Sequence, residues 1–141
     1  EAELICDGFH IHPAMINAVY KMFGEKLVII SDSLRCAGMP DGEYELGGLP
    51  ITMKDGLARL HDGTIAGSAT NLLQELKNVV SYGIPLESAV YAVTAAPARS
   101  IGLSDSIGAL DVGKCADILV LDEALELKAA FVDGRPVYGE L

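Results

Sequence analysis

Three ionisable side chains, His10, His12 and Asp32, stand just past two short apolar runs, and they are the chain's clearest means of doing chemistry. The first run is Leu4-Ile5-Cys6-Asp7-Gly8-Phe9-His10-Ile11-His12-Pro13, and the second is Lys26-Leu27-Val28-Ile29-Ile30-Ser31-Asp32-Ser33. The interval between them fits one helix. A strand, a helix and a second strand make a βαβ unit, which in a parallel sheet or barrel brings the C-terminal ends of both strands to the same face. The three side chains are therefore expected to converge on one mouth.

Each candidate has a plainer alternative. His10-x-His12 puts two imidazoles on one side of an extended chain, which suits two ligands of one divalent metal such as zinc. Equally, one histidine could lie in a loop and the other cap the helix that Pro13 opens or stand in solvent. Asp32 directly follows a buried strand, where a carboxylate is costly unless it is paired, solvated or bound to a cation. It could instead be a helix N-cap, helped by Ser31 and Ser33. Gly63-Thr64-Ile65-Ala66-Gly67-Ser68 is small enough to let a ligand reach the backbone ahead of a helix. It also reads as an ordinary loop with Ser68 as N-cap, and no Gly-Lys-Ser/Thr follows, so it is not a P-loop. His61 reads as surface, and a Cys/His nucleophile is weakly supported because no base neighbours Cys6, Cys36 or Cys115 in sequence.

The elements that must position these residues follow from periodicity. Residues 4–9 read as a buried strand, then Pro13 opens a helix whose apolar face is Ala14, Met15, Ala18, Val19 and Met22, ended by Gly24. Leu27 to Ser31 is a β-branched, fully buried strand. Glycines punctuate 34–64, where Glu43–Leu46, Ile51–Lys54 and Leu57–Leu60 read as antiparallel strands, with Asp55-Gly56 as a hairpin turn. Residues 69–82 form an amphipathic helix with Leu72, Leu73, Leu76, Val79 and Val80 on one stripe. Further helices run from Pro85 to Thr94 and from Pro97 towards Gly102. Asp117–Asp122, Leu125–Val132 and Val137-Tyr138 are strands, the last pair joined by Asp133-Gly134-Arg135-Pro136. Such a tail of short strands is marginal without partners.

Composition narrows the function. A net charge of −10 over 141 residues argues against nucleic acid and anionic lipid as partners, while an anionic small substrate stays open. The mean hydropathy of +0.34 is high, yet no run reaches a membrane span. Two readings fit: strands buried on both faces, or a chain that packs against something it lacks. Three scattered cysteines without a C-x-x-C point to reduced thiols in a cytoplasmic protein. No basic-apolar-small leader is read at the N-terminus, and the chain opens at Glu1 rather than Met and enters a strand almost at once, so it is expected to be a piece of a longer polypeptide.

Taken in order, Asp7-Gly8-Phe9-His10, Ser31-Asp32, Ala37-Gly38-Met39-Pro40-Asp41-Gly42-Glu43-Tyr44-Glu45-Leu46-Gly47-Gly48, Asp62-Gly63-Thr64-Ile65-Ala66-Gly67-Ser68, Ala96-Pro97-Ala98-Arg99 and Gly113-Lys114-Cys115-Ala116-Asp117 resemble the C-terminal part of the N-acetylglucosamine-6-phosphate deacetylases, within the metal-dependent amidohydrolase superfamily. The resemblance covers essentially the whole chain. It implies an α/β fold: the C-terminal part of a TIM-like (β/α) barrel over residues 1–105, with a hairpin insertion at about 38–62, and strands of a small β-sandwich over 106–141. It implies hydrolysis of an acetamide by water activated at a divalent metal, giving glucosamine 6-phosphate and acetate. Asp32 matches the catalytic aspartate, and is the one residue here that the resemblance brings to the metal. Asp7, Gly8, Phe9 and His10 match a substrate-contacting strand end, and Ala66, Gly67 and Ser68 a loop against the sugar. His10 thereby moves from metal ligand to substrate contact, and His12 becomes structural or peripheral. The main metal ligands and the phosphate-binding arginine are implied to lie outside this chain, which alone would be inactive. Zn, Fe, Mn, Co and Ni are not distinguished, and homodimers are implied for the full-length protein. Ser33, Ala69-Thr70-Asn71 and Cys6 depart from the family pattern. Two rivals stand beside this reading: an amidohydrolase of another N-acyl or cyclic amide, and a non-catalytic fragment that binds sugar or pairs with another chain.

Overall fold

The computed structural model describes residues 1–139, which form two compact units, Glu1–Val93 and one that begins at Thr94. The first unit is built around a parallel strand pair. Strand β1 (Ala2–Ile5) lies beside β2 (Leu27–Ile30), in register from Ala2 opposite Leu27 to Ile5 opposite Ile30. Between them runs α1 (Pro13–Phe23), with proline in its first turn and Gly24 at its C-cap. The expected βαβ unit is therefore present, and both strands end at the same side of the sheet.

The buried face of α1 differs from the sequence expectation. Ile16 is its fully buried residue, whereas Met15 and Met22 are largely exposed. Two apolar stripes compete on this helix. The one that wins carries Ile16, Val19, Tyr20 and Phe23, which bring stiffer side chains than methionine.

After β2 the chain makes a four-stranded antiparallel sheet: β3 (Gly42–Leu46), β4 (Leu49–Lys54), β5 (Leu57–Leu60) and β6 (Ile65–Ser68). Asp55-Gly56 turns β4 into β5 with both residues at positive φ, as a two-residue hairpin turn requires. Cys36, Ile51, Met53, Ala58 and Ala66 form the buried cluster under this sheet. The reading of residues 63–68 as a loop is corrected here. Ile65–Ser68 is a strand, and an isolated parallel bridge joins Ser68 to Ser33, just beyond β2. Small residues hid it, because Ala66, Gly67 and Ser68 are weak strand formers whose pairing comes from neighbours.

Two helices, α2 (Leu72–Ser81) and α3 (Leu86–Val93), pack on β2 and on each other. The N-cap of α2 is Asn71, whose side chain accepts from the Gln74 N–H, and not Ser68 as one reading had it. Leu76 and Val79 are buried on α2 as expected, Leu72 is over a third exposed, and the third buried residue is Glu75.

The second unit holds α4 (Ala95–Ser100) and an antiparallel sheet of β7 (Ile118–Leu121), β8 (Leu127–Val132) and β9 (Arg135–Tyr138). Asp133-Gly134 makes the turn between β8 and β9, again with both φ positive. All of β9 is exposed, as are Leu119 and Val132. The high hydropathy is thus only partly explained by buried strands. Among the described residues no helix is long and apolar enough to cross a membrane.

Candidate active site

The parallel pair places two segments at one end of the sheet, Cys6–His10 after β1 and Ser31–Ser33 after β2. The first is a tight, self-bonded turn. One oxygen of the Asp7 carboxylate accepts from the backbone N–H groups of Phe9 and His10, each at 2.9 Å. The other lies 2.7 Å from Nδ1 of His10. The Asp7 side chain is 1% exposed and that of His10 21%. An acceptor-only carboxylate fixes the proton of a neutral imidazole on Nδ1 and leaves Nε2 as an acceptor. Asp7 therefore orients His10. Phe9 is half exposed beside it.

Gly8 has φ +81°, and a Cβ there would stand 2.6 Å from the Tyr82 hydroxyl oxygen. Only glycine fits between that phenol and the turn. Burial, then the charge of Asp7, pushes the Tyr82 hydroxyl above its ordinary pKa. His12 is drawn away from the turn: its Nδ1 accepts from Ala14 N–H and caps α1. The two imidazoles of the H-x-H pair thus have different partners, His10 the Asp7 carboxylate and His12 the first turn of α1.

Asp32 is exposed, and its carboxylate has no hydrogen-bond or ion-pair partner among the described residues. Its backbone takes the left-handed region at φ +49°, which aspartate tolerates better than most residues. It is no helix N-cap. Its carbonyl accepts from Ser68 N–H at 3.1 Å, and Leu34 N–H donates to Ser68 C=O at 2.9 Å. Gly67 makes this close pairing possible, since a Cβ there would meet Leu34 at 2.9 Å. Asp32 and Ala66–Ser68 are thereby held side by side. Ala66 points into the apolar cluster, and the Ser68 side chain is buried against Thr70, so what this segment offers outward is backbone around Gly67.

The sequence reading missed the residue that lies between these segments. Glu75 is fully buried on α2. Its carboxylate accepts from Cys6 N–H at 2.5 Å and from the Thr70 hydroxyl at 2.9 Å. Burial is the main cause that pushes its pKa up to about 7; the charge of Asp7 adds to it, and the two hydrogen bonds oppose it. The signal was in the sequence: a glutamate in the middle of the Leu72–Leu76–Val79 stripe is either wasted or partnered. Cys6 is buried too, and burial with the charges of Glu75 and Asp7 pushes its thiol up to about 12, which removes it as a nucleophile.

The described residues bring no group of three or more His, Cys, Asp or Glu into metal-binding range. At the two strand ends, the carboxylate left open to a cation among the described residues is that of Asp32.

The description of the amidohydrolase family matches residues 14–137. The chain belongs to the amidohydrolase family. Among amidohydrolase relatives, it is 36% identical over 96% of its length to an N-acetylglucosamine-6-phosphate deacetylase of Vibrio furnissii, of which it spans 34%. It is 34% identical to a putative N-acetylgalactosamine-6-phosphate deacetylase of Escherichia coli K12, covering 94% of this chain and 80% of that protein. Solved amidohydrolases agree. The chain superposes with a TM-score of 0.92 and 28% identity on N-acetylglucosamine-6-phosphate deacetylase from Pasteurella multocida, covering 95% of this chain and 36% of that one. An aspartate-to-alanine mutant of the Mycobacterium smegmatis deacetylase in complex with N-acetyl-D-glucosamine-6-phosphate gives 0.89 at 36% identity, over 96% of this chain and 37% of the other. The chain thus spans about a third of the length of most of the relatives it matches.

Proposed function

We propose that this chain is the C-terminal portion of a cytoplasmic amidohydrolase that removes the acetyl group from N-acetylglucosamine 6-phosphate, with residues 1–105 completing a TIM-like barrel and 106–141 a β-sandwich. The observation that carries it is the juxtaposition of an open aspartate, Asp32, with the oriented His10 turn on one strand end and the Gly67 backbone on the other side. The named relatives and solved neighbours support the substrate class. Exposed apolar residues on β9 and on α1 support a longer polypeptide that covers them. The same reading carries homodimerisation of the full-length protein.

A divalent ion, when bound, would polarise the amide carbonyl and acidify the attacking water, and ligands from outside this chain would have to hold it. The steps left to this chain are proton transfer and orientation. Asp32, exposed and unpartnered, takes a proton from the attacking water and returns it to the departing amine nitrogen. His10, held through Nδ1 by Asp7, directs Nε2 at a sugar hydroxyl. The Gly67 backbone and the ring of Phe9 bound the sugar.

In the natural polypeptide that carries this chain, Asp32→Asn should lower kcat by about 100-fold or more with the fold unchanged. Near-normal turnover would refute the base role. The 141-residue chain alone, given divalent metal and substrate, should show no turnover, and robust activity would refute the partial-site reading. The E. coli relative motivates one competing substrate, the galactosamine epimer. A kcat/KM ratio between the two epimers measured on the same preparation decides between them.

A further inference from the structure

We infer that Glu75 is a positioning residue that couples the His10 turn to the Gly67 segment through the buried hydrogen-bond path Cys6–Glu75–Thr70–Ser68. The inference rests on the reading of both segments as substrate-facing. A fully buried carboxylate is retained in a fold only when its oxygens are satisfied. Here the two oxygens serve two different segments. One accepts from Cys6, the residue before Asp7, and the other from Thr70, two residues past Ser68. The Ser68 hydroxyl donates to the Thr70 hydroxyl at 3.3 Å, and Thr70 N–H donates back to Ser68 at 3.0 Å. One turn further along α2, the Asn78 amide donates to Cys6 C=O at 3.2 Å. Both backbone groups of Cys6 are therefore bound to the helix, which sets the direction in which the chain enters the Asp7 turn. Ser68 in turn is bonded to the backbone of Asp32 and Leu34. Glu75 is bonded to both segments at once, so a displacement of one is passed to the other through its carboxylate.

The test is amide hydrogen exchange at Phe9 and His10, with activity measured alongside, in the natural polypeptide that carries this chain. Thr70→Val removes the path beyond Glu75 and leaves the Cys6–Glu75 bond in place. It should speed exchange at Phe9 and His10 by about tenfold, an effect transmitted through the path. In a Glu75→Ala background the same Thr70→Val change should add nothing. Glu75→Gln keeps an acceptor for Cys6 and an amide that Thr70 can accept from, so it should stay within about twofold of wild type in exchange and in KM. Glu75→Ala should raise KM more than it lowers kcat. Unchanged exchange at Phe9 and His10 in Thr70→Val, or a Gln variant as impaired as the Ala variant, overturns the inference. Because exchange needs no turnover, a protein inactive on acetylated sugar phosphates would refute the functional reading and leave this result standing on its own.

Discussion

A carboxyl group with no exposure and two hydrogen bonds must choose between keeping its proton and keeping its charge, and Glu75 sits at that boundary. Burial lifts its pKa from 4.5 to about 7. The folded state therefore binds a proton between those values that the unfolded chain has released. Stability is highest below the unfolded pKa and falls as pH rises towards the folded one. It is level above about pH 7 as far as this residue is concerned. The loss over that window is at most about 3 kcal/mol. Glu75→Gln removes the titration, so its urea-unfolding free energy should lack this decline and exceed that of the wild type at pH 8. Parallel pH curves for the two proteins would refute the assignment. Asp32 illustrates the opposite economy. Its carboxylate is free and its backbone is held at φ +49°, so the conformational cost sits in the main chain. Asp32→Gly should relieve it and gain a few tenths to about 1 kcal/mol, whereas Asp32→Val should lose about 1–2 kcal/mol, both read from denaturation midpoints.

Elements place these residues through close approaches that leave no room for a side chain. Where β1 gives way to the Asp7 turn, the phenol that follows α2 comes so near Gly8 that its missing Cβ is part of the packing. Gly8→Ala should cost about 2–4 kcal/mol, from positive φ and from overlap with the Tyr82 hydroxyl. The Tyr82 ring carbon would lie at 3.7 Å, an ordinary contact, so removing the hydroxyl removes the clash. Tyr82→Phe should therefore recover about 1 kcal/mol or more of that loss while the backbone share remains. Strict additivity in this double-mutant cycle would show that the two do not meet. The same closeness explains what could be read in advance. The βαβ unit, the Asp55-Gly56 hairpin and the helix ends at Pro13 and Gly24 are written in local chemistry, and all were legible. Strand β6 was not, because Ile65–Ser68 becomes extended only through pairing with β5 and Ser33. The buried face of α1 was misjudged because periodicity allows two stripes and tertiary packing chooses between them. In the site, Asp32, His10 and the capping alternative for His12 were visible as residue types at strand ends. The Glu75 path was not, since it joins residues about seventy apart in the chain through an amphipathic helix of which only the apolar stripe was read as buried.

At the scale of the whole molecule, the three thiols report on separate parts of it. Cys115 is exposed in the second unit. Cys36 is enclosed in the apolar cluster under the four-stranded sheet, and Cys6 lies under α2 with its thiol pushed up to about 12. Reactivity follows thiolate content and access together. An aromatic disulfide reagent at pH 8 should therefore modify one thiol per native chain promptly, and peptide mapping should place it at Cys115. The other two should react only as denaturant opens the first unit. Their order carries further information, because Cys36 depends on sheet packing and Cys6 on the Glu75 and Asn78 clamp. In Glu75→Ala the clamp loses its N–H acceptor and a nearby charge, so Cys6 should label at least about tenfold faster while Cys36 keeps its native rate. Equal acceleration of both would mean that the substitution loosens the whole unit. Selective unmasking of Cys6 would locate the effect at the joint between α2 and the end of β1, where the oriented histidine begins.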